Sequence, residues 1–194
     1  MQRPPSRRIG FITFPEITAL DFVGPMEAFG AAIADSGSER FKCYELVVIG
    51  ISGKPFVSES GLSITPHCTL DQAPALDTVL IPGGRGLREP NTNASVVEWL
   101  LSRSKSIRRV ASVCTGIYGL APTGLIDGRH VTTHWAFVQD VAQKFPKLKL
   151  DANSLFLKTA SSIHLPASLP ASICLWRSSR KTLARAWRCP WRAS

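Results

Sequence analysis

Cys114 has the sequence surroundings of a reactive thiol. The run A-S-V-C-T-G at 111–116 joins the end of an apolar strand to a turn with small neighbours. This is the layout of a nucleophile elbow, in which the reactive side chain takes the turn and a helix begins at once. Because backbone N–H groups at a helix start favour negative charge, the sequence predicts that the Cys114 thiol ionises more easily than a free cysteine. A buried structural cysteine is the common alternative.

A glycine pair is expected beside this elbow. Gly83 and Gly84 follow a predicted buried strand at 78–81, and ligands of open α/β sheets bind at the carboxyl ends of strands. A backbone N–H from this pair and the N–H of Thr115 are therefore candidate donors to an oxyanion.

Short apolar runs alternate with helical stretches through the first 158 residues. The predicted strands cover 8–14, 44–50, 56–59, 62–65, 78–81 and 109–113. The predicted helices cover 24–34, 94–103, 114–122 and 134–145. Strands that alternate with helices predict right-handed βαβ units, and hence a doubly wound, mainly parallel sheet covered on both faces.

Composition narrows the class of protein. With 194 residues, 44% of them hydrophobic and 19% charged, the chain suits one globular domain. No apolar run reaches the roughly 18 residues of a membrane span, and the start lacks a signal-peptide core, so a cytoplasmic location without membrane contact is predicted. Five cysteines without C-x-x-C or metal-ligand spacing predict free thiols, no metal and no cofactor.

The net charge of +9 is unevenly distributed. Residues 1–158 hold 17 Lys and Arg and all 14 Asp and Glu, whereas residues 159–194 hold 6 Lys and Arg and no acid. Three of the five tryptophans also lie in this last segment. The excess of Lys and Arg in residues 159–194 must therefore be explained before the net charge can indicate a nucleic-acid partner.

Five segments together resemble the ThiJ/PfpI family. They are L-D-F-V-G-P-M-E (20–27), I-P-G-G (81–84), A-S-V-C-T-G (111–116), G-L-I-D-G-R (124–129) and T-T-H-W (132–135). The resemblance runs in order over residues 8–158 and implies the flavodoxin-like α/β fold of class I glutamine amidotransferase-like domains. The chain looks most like the N-terminal domain of AraC-type transcriptional regulators, and next like isonitrile hydratases.

The resemblance also implies a set of site residues. Cys114 takes the nucleophile position, and Asp21 is the carboxylate that the first βα turn brings near it. Thr115 and His134 complete the pocket. From the residues alone, Asp21 is equally well interpreted as a loop acid near a helix start, and His134 is better interpreted as a structural residue packed beside Trp135.

Two departures from the family pattern limit the chemistry. Glutamine amidotransferases pair their cysteine with a late His-x-Glu, which this chain lacks, and the proteolytic members have a histidine where Thr115 stands. Glutamine hydrolysis and peptidase activity are therefore disfavoured. What remains is a Cys–Asp site that can bind a small molecule, hydrate one, or become oxidised.

The pattern breaks after Lys158, where the family continues with a strand, a turn and a long helix. One base lost directly after the Lys158 codon would explain this break. In the restored reading frame each codon consists of the third base of one present codon and the first two bases of the next. The segment can then encode D-G-K-L-H-T-S-A-G-I-T-A-G and a helix ending in E-E-D-F-G. We therefore interpret 1–158 as the native domain and 159–194 as a frameshifted tail, so the last strand and helix of the sheet are expected to be lost.

Two functions follow from these observations. The first is the ligand-sensing and dimerising domain of an AraC-type regulator, truncated before its helix-turn-helix part and unable by itself to bind a specific DNA site. The second is an isonitrile hydratase-like enzyme in which Cys114 attacks a small electrophile and Asp21 manages protons.

Resequencing the coding DNA across the Lys158 codon tests the frameshift. We expect one additional base that restores the T-S-A-G-I-T-A-G helix. A helix-turn-helix sequence further on would support the regulator, and an early stop codon would support the enzyme. If resequencing confirms the present codons and no shifted reading frame gives a family-like sequence, the interpretation of residues 159–194 is contradicted.

Overall fold

A computed structural model gives the fold of residues 7–35, 40–152, 154, 157–158 and 162–165. Its strands in chain order are β1 (Arg7–Thr13), β2 (Ile33–Asp35), β3 (Arg40–Lys42), β4 (Tyr44–Gly50), β5 (Phe56–Val57), β6 (Ser63–Ile64), β7 (Cys68–Thr69), β8 (Thr78–Ile81), β9 (Arg109–Val113), β10 (His130–Val131), β11 (Lys149–Leu150), β12 (Leu157–Lys158) and β13 (Ser162–Leu165). Its α-helices are α1 (Ala19–Gly30), α2 (Pro90–Arg103), α3 (Ile117–Leu120) and α4 (Val138–Lys144).

A seven-stranded sheet forms the centre, in the order β12-β13-β9-β8-β1-β4-β7. Its neighbouring pairs are parallel except β12–β13. Because β1 lies between β8 and β4, the chain moves across the sheet in both directions from β1, and right-handed crossovers then place helices on both faces. The predicted flavodoxin-like, doubly wound architecture is confirmed.

Residues 9–12 of β1 form a continuous apolar run, because the sheet is covered on both faces. Ile9, Phe11 and Ile12 are completely buried. The rings of Phe22 and Phe29 in α1 pack edge-on against Phe11, with centroids 5.9 and 6.3 Å away. Burial of each such side chain contributes about 1.5–3 kcal/mol, so this face of the sheet fixes the position of α1.

The start of α1 differs from the prediction. A helix was expected to begin at Gly24 with Pro25 in its first position, but α1 begins at Ala19 and holds Pro25 in its interior. Pro25 has no N–H to donate to the carbonyl of Asp21. Both Pro25 and Phe22 are buried in the helix, and this packing offsets the lost backbone bond.

The C-terminal edge of the sheet requires a second correction. The last strand was expected to be lost, yet β13 pairs in parallel with β9. Parallel pairing uses backbone groups, which four consecutive non-proline residues supply whatever their side chains. The expected loss of the following helix, like the rest of the tail after Leu165, lies outside the described residues, and the frameshift stays a prediction.

The cysteines follow the prediction in part. Cys68 and Cys114 are free thiols, but Cys43 is disulfide-bonded, so the expectation of free thiols is wrong for Cys43. An odd number of cysteines does not prevent two of them from pairing. In the described part of the chain, no helix has the length and apolar character that a bilayer span requires.

Gly116 lets the chain after β9 approach β8, and Gly116→Ala tests this contact. A Cβ at this position would lie 2.1 Å from the carbonyl oxygen of Ile81. We expect a loss of about 1–3 kcal/mol or more in the free energy of unfolding, because backbone must move, as measured by urea denaturation. Gly53→Ala is the control: its Cβ would meet only Thr69, at 3.5 Å, and should change stability by less than about 1 kcal/mol. Equal stability of the two variants would contradict the proposed role of Gly116.

Candidate functional site

Three chain segments meet at the carboxyl ends of adjacent strands. Cys114 follows β9, Gly83 follows β8, and Asp21 lies in the first turn of the helix after β1. The strands β9, β8 and β1 are neighbours in the sheet, so their ends bring the three residues to one edge. Cys114, Asp21 and Thr115 are all buried there.

Cys114 has the backbone of a nucleophile elbow. Its φ of 56° lies in the left-handed region that residues other than glycine rarely adopt. The segment Cys114–Gly116 is a 3₁₀ turn that leads directly into α3. The hydroxyl of Thr133 donates a hydrogen bond to the Cys114 carbonyl oxygen at 2.9 Å, which helps to hold this strained conformation.

Gly83 lies in contact with the polar groups of the site. A Cβ at this position would be 2.6 Å from Oδ2 of Asp21 and 2.7 Å from Oγ1 of Thr115. Any other residue here would therefore separate the turn after β8 from the other two segments.

The amides of the glycine pair are already engaged. The N–H of Gly84 donates to Oγ1 of Thr115 at 2.9 Å, and the N–H of Gly83 donates to the Asp21 carboxylate. The expectation that this pair offers an N–H to an oxyanion is corrected accordingly, because the first turn of α1 and the side chain of Thr115 have taken both donors. Gly83 and Gly84 position the site through backbone contacts.

Asp21 is a buried carboxyl that titrates near neutral pH. Its exposed fraction is 4%, and burial raises its pKa to about 6. Hydrogen bonds from the Cys114 thiol and the Gly83 N–H oppose this rise, and the charge of Glu59 adds to it. Among the described residues, Oδ2 of Asp21 has no hydrogen-bond partner.

The Cys114 thiol stays protonated, which contradicts the prediction of an easily ionised thiol. Burial raises its pKa to about 12, and the neighbouring Asp21 charge raises it further, whereas the N–H and hydroxyl of Thr115 oppose the shift. The helix that follows, α3, has only four residues. A few N–H groups at its start cannot offset the desolvation of a thiolate beside a carboxylate.

Glu59, in the turn between β5 and β6, contacts the site without any signal in the sequence. Its N–H donates to the carbonyl of Ile17 at 3.0 Å. Its carboxylate accepts from the Thr18 hydroxyl at 3.0 Å and from the Arg85 N–H at 2.9 Å. The hairpin itself was predicted, but local sequence does not tell which turns a hairpin will contact. Thr133 was visible within T-T-H-W, although its bond to Cys114 was not foreseen.

His134 makes its contacts within its own turn. Its Nδ1 accepts a hydrogen bond from the N–H of Ala136 at 3.2 Å, and its ring stacks on Trp135 with centroids 5.4 Å apart. These contacts support the structural interpretation of His134. In the part of the chain that the structure describes, no cluster of three His, Cys, Asp or Glu residues is placed to hold a metal ion.

The flavodoxin-like fold and the buried cysteine on a strained turn together indicate the class of protein to which this chain belongs. The sequence profile of the DJ-1/PfpI family matches residues 7–174. The chain belongs to this family, and the resemblance to the ThiJ/PfpI proteins is confirmed. The match reaches beyond Lys158, the position of the predicted lost base.

Curated relatives include both an enzyme and regulators. The isonitrile hydratase of Pseudomonas putida is 32% identical over 130 residues, which are 67% of this chain and 53% of the hydratase. The HTH-type transcriptional regulator GbdR of Pseudomonas aeruginosa is 31% identical over 151 residues, 76% of this chain and 40% of the regulator. The chain thus spans about half or less of the length of these relatives.

A solved structure shows the same fold. The crystal structure of an AraC family transcriptional regulator from Pseudomonas putida superimposes with a TM-score of 0.72, over 93% of this chain and 96% of that one. The two sequences are 18% identical, so this similarity concerns the fold alone.

Asp21→Asn tests the electrostatic account of the site. The substitution keeps the shape of the side chain but removes the negative charge beside the thiol. We therefore expect the Cys114 pKa to fall by about one unit or more, measured from the ultraviolet absorbance of the thiolate after subtraction of the titration of the matching Cys114→Ser variant. Glu45→Gln is the control, because it removes an exposed carboxylate that pairs with Arg8. An unchanged or higher pKa in Asp21→Asn would show that the carboxylate does not hold the thiol protonated.

Proposed function

We propose that this chain is the ligand-sensing and dimerising domain of an AraC-type transcriptional regulator. Its 31% identity over 151 residues to an HTH-type regulator supports this proposal. DNA binding then belongs to the unmatched part, and the 194-residue chain by itself recognises no specific DNA site. Its partners are a small molecule and a second copy of the domain.

The raised pKa of the buried Cys114 thiol beside Asp21 favours the sensor over the enzyme. A cysteine nucleophile reacts as its thiolate, and catalytic cysteines have a pKa below that of a free thiol. Here the pKa is raised to about 12, and the neighbouring charge is a carboxylate. Such a thiol acts as a hydrogen-bond donor in a binding site more readily than as an attacking group.

Asp21 indicates what the ligand has to offer. Its Oδ2 atom is buried and has no hydrogen-bond partner among the described residues. Buried polar atoms are nearly always hydrogen-bonded in folded proteins. We propose a ligand that donates a hydrogen bond to this oxygen, with Cys114 and Thr115 as neighbouring contacts.

A cysteine-dependent hydratase is the second candidate. It is supported by the 32% identity to an isonitrile hydratase and by the Asp21 pKa of about 6, which suits a general base near neutral pH. In this reaction the Cys114 sulfur bonds to the terminal carbon of the isonitrile, while Asp21 takes the thiol proton and returns it to that carbon. Water then displaces the thiol from the thioimidate and leaves an N-substituted formamide.

The raised pKa of the thiol disfavours the first step of this hydratase reaction. The first proton transfer runs from a thiol with a pKa of about 12 to a carboxyl with a pKa of about 6. It is therefore uphill unless the bound substrate changes the surroundings of both groups.

Isonitrile turnover separates the two proposals. We expect the chain to convert cyclohexyl isocyanide to N-cyclohexylformamide, measured by chromatography, no faster than its Cys114→Ala variant. Sedimentation velocity of the same sample is expected to show a dimer. Turnover that Cys114→Ala abolishes would instead establish the hydratase and contradict the sensor as the main function.

A further inference from the structure

A pocket apart from the Cys114 site lies between α2, α3 and α4, with a volume of about 430 Å³. Neither Cys114 nor Asp21 lines it. Its volume lies within the range of about 300–1,000 Å³ that is usual for small-molecule sites. A dry cavity of about 150 Å³ is enough to hold benzene in another protein, so this pocket has room for a substituted ring.

The walls of the pocket are largely apolar and aromatic. Val97 of α2, Pro122 after α3 and Phe145 after α4 line it, together with Tyr118 of α3. The rings of Tyr118 and Phe145 pack at 64° to each other, with centroids 6.2 Å apart. Such a surface favours a planar, apolar ligand body.

Asn93 fixes the pocket in shape. Its side-chain amide donates to the carbonyl oxygens of Leu87 and Tyr118, both at 2.8 Å. Both N–H donors of this amide are therefore used within the protein. The first turn of α2 is tied to α3, and the wall between them is formed before a ligand arrives.

Of the two cations that line the pocket, Lys144 forms a close ion pair and Arg88 acts on the same Asp140 carboxylate only at longer range. Lys144 lies 3.0 Å from Oδ2 of Asp140, and the Tyr118 hydroxyl donates to the same carboxylate. The Arg88 guanidinium lies over the ring of Phe137, 4.9 Å from its centroid. Arg88 forms no ion pair among the described residues. The balance of Arg88, Lys144 and Asp140 is one positive charge.

We propose that this pocket binds a small aromatic monocarboxylate, with its ring against Tyr118 and Phe145 and its carboxylate on Arg88. A guanidinium presents a planar pair of donors that matches a carboxylate. The Asp140 carboxylate disfavours a second negative charge on the ligand. The inference does not rest on the function proposed for Cys114, and either can fail without the other.

Titration of the 194-residue chain with benzoate, followed by ligand-detected NMR, tests the proposal. We expect saturable binding that Arg88→Gln weakens about tenfold or more, because hydrogen bonds to charged groups contribute that much. Benzamide has nearly the same shape without the charge and is expected to bind about tenfold more weakly. Arg88→Lys keeps the charge and is expected to retain part of the affinity. Circular dichroism verifies that each variant is folded.

Two matched controls locate the binding. Arg85→Gln removes the same charge from the same 3₁₀ turn, Arg85–Arg88, but Arg85 faces Glu16 and Glu59, so benzoate affinity is expected to stay unchanged. Cys114→Ser is likewise expected to leave it unchanged. The absence of benzoate binding, equal affinity in Arg88→Gln, or equal affinity for benzamide would overturn the proposal. Loss of binding in Cys114→Ser would also overturn it, by assigning benzoate to the first site.

Discussion

Gly83 has no side chain, and the arrangement of the first site depends on that fact. Oδ2 of Asp21 and Oγ1 of Thr115 lie 2.6 and 2.7 Å from the position that a Cβ would take at Gly83, which is too close for any other residue. Gly116, in the turn after β9, likewise allows a close approach to the carbonyl oxygen of Ile81. These two close approaches allow the ends of three strands to meet. The Cys114 thiol and the Asp21 carboxylate therefore become neighbours, although they are far apart in the sequence.

This convergence also determines the chemistry, because it excludes water. The elbow orients Cys114 as a nucleophile, but the same tight packing buries both the thiol and the carboxyl. In a buried site the cost of desolvation outweighs the N–H groups of a short helix start. The pKa values of both groups are raised, and the proton stays on sulfur at neutral pH. Backbone geometry alone therefore does not identify a reactive cysteine.

The strands were predictable because each is a short apolar run bounded by turn residues. The segments 44–50, 78–81 and 109–113 coincide with β4, β8 and β9. The start of α1 was not predictable, since Pro25 favours a first helical position locally while burial of the helix decides otherwise. The pairing of β13 with β9 depends on the backbone and has little signature in side chains.

The residues of the site were predictable from the sequence, but most of their hydrogen bonds were not. The resemblance placed Asp21 near Cys114, and the turn after β8 followed from sheet topology. The contacts of Glu59 were out of reach, because they depend on how a hairpin docks onto turns about 40 residues away. The occupied amides of Gly83 and Gly84 were equally hidden, since a sequence does not reveal which acceptor an N–H will meet.

The two candidate sites share one stretch of chain. The hydroxyl of Thr133 donates to the carbonyl of Cys114, and the hydroxyl of Tyr118 donates to Asp140. Cys114 and Tyr118 are one helical turn apart, so the segment from Thr133 to Asp140 is fastened to the elbow and α3 at two points. One segment therefore supports both the wall of the second site at Tyr118 and the strained backbone of Cys114, whose φ is 56°.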